Sequence, residues 1–177
     1  MIDTVRLRLA TIPVAVAGEL LSGRLPPGLG FAIGYPSEFS LETMQLVLDQ
    51  GTTGPGGPFF IVRKDDDAVI GEIGADLDPA TGIAQVGYSL VEPAWGQGYA
   101  TEALRGLLDD LLARTEVRHV VAETFADHLA SRRVLEKAGL VCQGQQTADV
   151  DGELRDVVRY ATGSASTAGP RSAAGDD

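Results

Sequence analysis

Cysteine, histidine and basic residues are all scarce in this chain of 177 residues. The single cysteine, Cys142, excludes an internal disulfide and a multi-cysteine metal site, and the two histidines argue against a histidine-based metal centre. Only 14 basic residues stand against 25 acidic ones, and the net charge of -11 disfavours nucleic acid and anionic membranes as partners. No apolar run approaches the roughly 20 residues that a membrane helix requires. The composition instead favours a cationic partner, such as an amine.

Two interpretations are open for the first eighteen residues. Arg6 and Arg8 precede an Ala- and Val-rich run at 9–18, and this order resembles a weak signal peptide. The same arginines alternate with apolar residues across 5–9, which is the period-2 pattern of a half-buried strand. We favour the strand and therefore expect a cytoplasmic protein.

Strand and helix signals alternate along most of the chain, which predicts one α/β domain. The hydrophobic fraction of 44% is enough for a single sizeable core. Strands are predicted at 5–10, 59–63, 68–76, 83–91, 119–124, 140–147 and 154–160. Helices are predicted at 13–22, 40–49 and 130–138, and an amphipathic helix follows the segment 95–103 and runs to about 114.

Glycine, proline and small polar residues mark the boundaries of these elements. Residues 23–36 are rich in Gly and Pro and predict a loop, after which Ser40 is predicted to cap a helix that Gly51 ends. Beyond residue 161 the chain becomes rich in Gly, Ala, Ser, Thr and Pro. We therefore predict a domain at 1–161 and a disordered tail at 162–177.

A glycine-rich turn, Trp-Gly-Gln-Gly-Tyr-Ala-Thr at 95–101, comes directly before a strongly helical segment. Glycines let successive backbone N–H groups converge, and the helix adds its positive end, so the turn predicts a phosphate or pyrophosphate site. A P-loop would need a Gly-Lys-Ser/Thr ending, which is absent. A dinucleotide fingerprint would need a third glycine where Thr101 stands.

The segment 85–103, QVGYSLVEPAWGQGYATEA, is similar to the acetyl-CoA motif of GNAT N-acetyltransferases in its RimJ/RimL-like form, which commonly carries Trp at the place of Trp95. A second block at 127–140, DHLASRRVLEKAGL, resembles the later motif of the family, Asn-x-x-Ser followed by Leu-x-Lys-x-Gly-Phe. The order of predicted elements also matches. The resemblance implies the GNAT fold: a mixed, mostly antiparallel sheet of six to seven strands, about four flanking helices, and splayed central strands.

The resemblance also implies acetyl-CoA as co-substrate, with no metal. Backbone groups of Leu90 and Val91 would pair with pantetheine where the strands splay, and an N–H there would polarise the thioester carbonyl. The CoA pyrophosphate would bind the backbone amides of Gln97, Gly98, Tyr99, Ala100 and Thr101.

Direct transfer in this family needs a weak acid to protonate the departing thiolate. The tyrosine that many members use is replaced here by Leu135, so the resemblance implies the motif serine, Ser131, in its place. His128 stands where the family has Asn, and cap, CoA contact and titrating base all stay open for it. Arg132, Arg133 and Lys137 are either solvated or close to the CoA phosphates.

The base that deprotonates the amine is less clearly indicated. RimJ/RimL-like chains often carry Glu two residues before the Gly-Tyr pair, but this chain has Gln85 there. Glu72, on the neighbouring predicted strand, is our candidate base, although a solvated or substrate-positioning carboxylate is the alternative. Tyr88 and Glu123 are weaker candidates.

We therefore expect an acetyl-CoA-dependent N-acetyltransferase that moves an acetyl group directly to a primary amine in a ternary complex. The acceptor is either a small molecule or a protein N-terminus, and the final strands could support a homodimer. The alternative is a catalytically weak acyl-CoA-binding sensor or interaction module, because Gln85, His128 and Leu135 depart from the family pattern.

Overall fold

The computed structural model describes residues 1–51, 54, 56–150 and 152–163, which form one mixed sheet and four α-helices. The helices are α1 (Val14–Leu21), α2 (Glu38–Gln50), α3 (Tyr99–Leu112) and α4 (Leu129–Ala138). The strands are β1 (Ile2–Asp3), β2 (Leu7–Thr11), β3 (Gly30–Phe31), β4 (Phe59–Arg63), β5 (Ala68–Asp78), β6 (Ile83–Leu90), β7 (His119–Phe125), β8 (Leu140–Val150) and β9 (Glu153–Thr162).

The strands lie in the order β1-β2-β4-β5-β6-β7-β9-β8, with β3 beside β5. Only the β6–β7 and β3–β5 pairs are parallel within the described sheet. The β6–β7 ladder ends after three pairs, Ile83 to Gln85 against His119 to Val121, although both strands continue. This confirms the predicted fold, including the splayed central strands; β1 and β3 are two-residue additions to seven longer strands.

The region before β4 differs from the sequence prediction in two places. The predicted loop at 23–36 contains β3. Helix α2 begins earlier than predicted, because Ser37 is its N-cap: the Ser37 hydroxyl accepts from the Ser40 N–H at 3.1 Å, and the Ser40 hydroxyl accepts from the Ser37 N–H at 3.1 Å. Ser40 is thus the second member of a capping box and not the cap. Gly51 ends the helix in the left-handed conformation, as predicted.

The last hairpin, β8–β9, is longer than predicted. Strand β9 ends at Thr162, one residue past the predicted domain boundary, and the Thr162 hydroxyl accepts from the Val120 N–H at 3.1 Å. Asp151, between the predicted strands at 140–147 and 154–160, and residues 164–177 of the predicted tail lie outside the described residues.

The sheet separates two pairs of helices. On β6 the Tyr88 side chain contacts α4, where its hydroxyl is 3.0 Å from that of Ser131. The next residue, Ser89, pairs with Glu72, whose carboxyl group faces Ser40 of α2. Because successive side chains of a strand alternate between faces, α4 and its neighbour α3 lie on one face and α1 and α2 on the other. No helix among the described residues has both the length and the apolar content to cross a membrane.

Candidate active site

A cavity of about 420 Å³ opens where the end of β6, the glycine turn and the first turns of α4 meet. We call it the first cavity. Its lining includes seven of the predicted site residues: Leu90, Gly98, Tyr99, Ala100, Thr101, His128 and Ser131. Two parts of the chain that the sequence separates by some thirty residues therefore form one concave surface, as the resemblance of both motifs implies.

The glycine turn leaves backbone donors free at the mouth of this cavity. Gly96 and Gly98 have φ of 71° and 82°, a region that side chains disfavour, and Gly98 is the N-cap of α3 without a side-chain cap. The first bond of the helix runs from the Glu102 N–H to the Gly98 carbonyl. The N–H groups of residues 99–101 consequently have no partner within the helix, and the helix dipole favours an anion there.

Arg6, directly before β2, contacts both the glycine turn and the first turn of α3. Its Nε donates to Glu102 Oε2 at 2.7 Å, its Nη1 donates to the Gln97 carbonyl at 3.0 Å, and its guanidinium lies 4.5 Å from the centre of the Tyr99 ring. Burial alone would raise the pKa of Glu102, but hydrogen bonds from Thr4 and Arg6 outweigh burial and lower it. Sequence reasoning missed Arg6, because nothing local indicates a partner 96 positions away.

Gln97 and Val91 are the predicted cofactor contacts that the cavity lining does not include. The Gln97 side chain donates to the Pro93 carbonyl at 2.8 Å. Both backbone groups of Val91 are used within the protein, since its N–H donates to Ile70 and its carbonyl accepts from Ala94. The structure therefore gives no support to a pantetheine contact at Val91, because the strand alternation turns its backbone toward β5.

The backbone of Leu90 faces the gap between β6 and β7. The Val91 N–H donates to Ile70 of β5, and the backbone groups of successive strand residues point in opposite directions. The backbone groups of Leu90 therefore point toward the other edge of β6, where the pairing with β7 has already ended. The Leu90 carbonyl accepts from the Trp95 indole N–H at 2.7 Å, so the indole fixes this strand end beside the glycine turn.

Ser131 has an unexpected phenolic neighbour. The hydroxyl groups of Tyr88 and Ser131 are 3.0 Å apart, and the Tyr88 hydroxyl also donates to the Ser131 carbonyl at 3.2 Å. Burial raises the pKa of Tyr88, and the hydrogen bond with Ser131 opposes that rise. A phenol of β6 therefore contacts Ser131, while Leu135, at the position of the family's tyrosine, is buried in the core.

Some polar side chains at the start of α4 and along it line the first cavity, and others contact the rest of the protein. His128 is the N-cap of α4, makes no side-chain cap and is exposed at the cavity. Arg133 and Lys137 also line the cavity, which gives it cationic groups near the glycine turn. Arg132 points away, to the Tyr160 hydroxyl at 3.2 Å and the Ala126 carbonyl at 3.0 Å.

A second cavity, of about 550 Å³, lies beside α2, with Leu111 and Arg114 at the end of α3 also in its lining, and Glu72 is part of that lining. The side chain of Glu72 is only 1% exposed, and neither carboxylate oxygen makes a hydrogen bond of normal geometry. Burial raises the pKa of Glu72, and the nearby hydroxyls of Tyr35 and Ser40 only partly oppose this effect. Gln85, which stands where related chains often carry Glu, also lines this cavity. The weaker base candidate Glu123 instead pairs with Arg159 at 4.0 Å.

The two cavities approach each other at one register position of the sheet. Ser89 lines the first cavity, and its cross-strand partner Glu72 lines the second. Directly opposite residues of antiparallel strands have Cα atoms about 5 Å apart. A thioester held along the end of β6 and an amine beside α2 would therefore meet near this pair.

Comparison with known proteins gives matches that span most of the chain. A family model described as an acetyltransferase (GNAT) domain matches residues 33–141, which include both motifs. The uncharacterized N-acetyltransferase YjdG of Bacillus subtilis (strain 168) is 29% identical over 151 residues, covering 80% of this chain and 89% of that protein. The ribosomal-protein-serine acetyltransferase of Escherichia coli (strain K12) is 30% identical over 105 residues, or 58% of each chain.

Solved structures agree with the fold. The ribosomal L7/L12 alpha-N-protein acetyltransferase RimL, solved in complex with coenzyme A, superposes with a TM-score of 0.65 at 22% identity. The superposition covers 89% of this chain and 94% of that one. At this identity the likeness shows a common architecture, and the family match carries the assignment.

Proposed function

Because the chain belongs to the GNAT acetyltransferase family, we propose that it transfers the acetyl group of acetyl-CoA directly to a primary amine in a ternary complex. The observation that carries this proposal is the meeting of two cavities at the Ser89–Glu72 pair, with the free amides of the glycine turn in one and a buried carboxylate in the other. The relative in Escherichia coli supports the RimJ/RimL-like branch.

Acetyl-CoA fits the first cavity by the chemistry of its donors. The N–H groups of Gly98, Tyr99, Ala100 and Thr101 would bind the pyrophosphate, and Arg133 and Lys137 would add positive charge nearby. The edge of β6 at Leu90 would pair with pantetheine, and its N–H would polarise the thioester carbonyl. His128 would contact the cofactor from the start of α4.

The acid in this proposal is Ser131. The amine nitrogen attacks the thioester carbonyl carbon, the carbon–sulfur bond breaks, and the thiolate takes the hydroxyl proton of Ser131. The Tyr88 hydroxyl, 3.0 Å away, then returns a proton to Ser131 and is itself reprotonated from solvent. The relay compensates for the missing phenol at Leu135.

The base in this proposal is Glu72. An alkylamine with a pKa near 10 is only about one-thousandth neutral at pH 7, which corresponds to ~4 kcal/mol. Proton transfer from the ammonium to the Glu72 carboxylate costs less the closer the two pKa values lie, and burial favours it because burial raises the pKa of this carboxyl group. The acceptor is a small-molecule amine or a protein N-terminus in the cytoplasm; a homodimer through the last strands stays a prediction.

Replacement of Gly98 by Asp tests the cofactor site. An added Cβ at Gly98 meets only Arg6 Nη2, at 3.5 Å, and Asp tolerates the left-handed conformation better than most residues, so we expect a folded protein with bulk and negative charge in the cradle. Acetyl-CoA affinity, measured by calorimetry, should fall at least 100-fold.

Gly28→Asp is the matched control. Gly28 has φ of 85° and open space around it, in an exposed loop away from the first cavity. This variant should bind acetyl-CoA as the unmodified protein does. Equal affinity in Gly98→Asp and the unmodified protein would refute the proposed cofactor site.

A further inference from the structure

The second cavity contains a buried carboxylate that the protein leaves without a counter-ion. Both oxygens of Glu72 are buried and make no hydrogen bond of normal geometry, which is costly for an ionised group. The Ser40 hydroxyl that faces it is already bonded to Ser37, and the buried Tyr35 hydroxyl beside it is a neutral donor that makes no hydrogen bond of normal geometry. Among the described residues that line the cavity, the basic side chain is Arg114, which forms an ion pair with Asp110. An ammonium group, with three donors and a positive charge, is the ligand that Glu72 lacks.

The floor beside Glu72 is bare backbone. Gly74 of β5 and Gly87 of β6 are cross-strand partners that follow Glu72 and Ser89 on the same face. At Gly74 a Cβ would come within 2.9 Å of Pro58 Cα, so packing requires a glycine there. At Gly87 a Cβ would meet nothing within 4 Å, and the backbone is not in the left-handed region. Packing does not explain Gly87, and a glycine inside a strand often marks the close approach of a ligand.

One face of α2 forms an apolar wall above this floor. Phe39, Thr43 and Leu46 follow at helical spacing and line the cavity. The side chains of Phe39 and Leu46 are 45% and 47% exposed, although the opposite face of the helix is buried in the core. A wall of this kind suits the aliphatic part of a ligand whose polar end lies elsewhere.

We infer that the second cavity is the acceptor site and that it selects an amphiphilic primary amine. The ammonium binds Glu72, the apolar body crosses Gly87 against Phe39 and Leu46, and the absence of a side chain at Gly87 sets the size of the body. This inference rests on the proposed function and adds the chemical class of the acceptor. A short alkylamine and an apolar protein N-terminus share this chemistry.

Titration of the CoA-loaded protein with hexylamine tests the ammonium site, with the backbone amides of Gly74 and Gly87 observed by NMR. Hexylamine should shift both amides and saturate, whereas 1-hexanol, which has the same body without the charge, should bind at least tenfold more weakly. Glu72→Gln should weaken hexylamine at least tenfold. Glu42→Gln removes a charge from an exposed position of α2 outside the cavity lining and should change the affinity less than threefold.

The size of the acceptor is tested by Gly87→Leu. We expect hexylamine to bind at least tenfold more weakly to this variant, methylamine less than threefold more weakly, and acetyl-CoA with unchanged affinity. Melting temperatures report whether the variants fold; Glu72→Gln should melt no lower than the unmodified protein, since it removes a buried charge without a partner.

Three outcomes separate this inference from the proposed function. Equal binding of hexylamine and hexanol, or affinities unaffected by both Glu72→Gln and Gly87→Leu, would overturn the acceptor site. Hexylamine binding at Gly87 without acceptor-dependent CoA release would support the site and remove the proposed function. A tetrapeptide with N-terminal Leu, compared with its N-acetylated form, tests whether the acceptor amine is a protein N-terminus. Binding of the peptide with the free amine, without binding of the acetylated peptide, supports the site and indicates protein N-termini.

Discussion

At the scale of single residues, the proposed acid Ser131 has a phenolic neighbour that the sequence did not predict. Sequence reasoning noted that Leu135 removes a tyrosine from α4 and considered Tyr88 only as a weak base candidate. The structure brings the Tyr88 hydroxyl to within 3.0 Å of the Ser131 hydroxyl. A contact between residues 43 positions apart depends on how α4 packs on β6, which no local pattern encodes.

Ser131→Ala should lower kcat by about 100-fold and leave the KM for acetyl-CoA within twofold, because a general acid contributes only in the transition state. Tyr88→Phe should lower kcat about tenfold, since Ser131 stays but loses its proton source. Steady-state kinetics over a range of pH checks both, and Tyr88→Phe should also displace the alkaline limb of the kcat profile.

Tyr160→Phe is the control for that pair. Its buried phenol also contacts α4, through Arg132 and Glu136, but not Ser131. We expect a loss of about 1 kcal/mol in stability and less than a twofold change in kcat. Undiminished turnover in Ser131→Ala would remove the acid role.

At the scale of elements, Arg6 links the start of β2 to the start of α3 and to the glycine turn; we call these contacts the Arg6 brace. Arg6 and Glu102 form an ion pair at 2.7 Å, and Arg6 also holds the Gln97 carbonyl. The pKa of Glu102 is lowered, so the stabilisation is complete above the ordinary pKa of a glutamate and is lost as the pH falls through the lowered value.

Arg6→Met should weaken acetyl-CoA binding by about three- to tenfold and reduce the acid sensitivity of the fold, because the turn loses its brace while the backbone donors remain. Arg8→Met is the matched control, since Arg8 follows on the same segment and pairs with the exposed Asp67. Calorimetry on both variants makes the comparison. If they bind acetyl-CoA equally, the brace does not contribute to the site.

Most elements could be predicted from the sequence, because the spacing of apolar residues and the glycines that end helices are local signals. The β4–β5 hairpin and the end of α2 at Gly51 are found where the pattern indicated. The N-cap of α2 was wrong by three residues because Ser37 and Ser40 are both good cap residues, and the sequence does not say which of them caps the helix. The two-residue strand β3 was missed because it depends on pairing with β5.

At the scale of the whole molecule, the sheet separates the two cavities that the proposed function assigns to the two substrates. The first cavity is on the α3 and α4 face and the second beside α2, and the Ser89–Glu72 pair joins them. The net charge of -11 favours a cationic acceptor over the whole surface. The donor motif was readable because it is contiguous, whereas the acceptor cleft combines side chains from α2, β5 and β6 that only the fold assembles.

The most direct test of the account is the release of CoA thiol from acetyl-CoA in the presence of primary amines, with both substrates varied. We predict release that requires the amine, acetylated amine in equal amount, and initial-rate lines that intersect, as direct transfer in a ternary complex demands. Tight binding of acetyl-CoA with no amine-dependent thiol release across short alkylamines and free peptide N-termini would contradict the account and indicate the sensor instead.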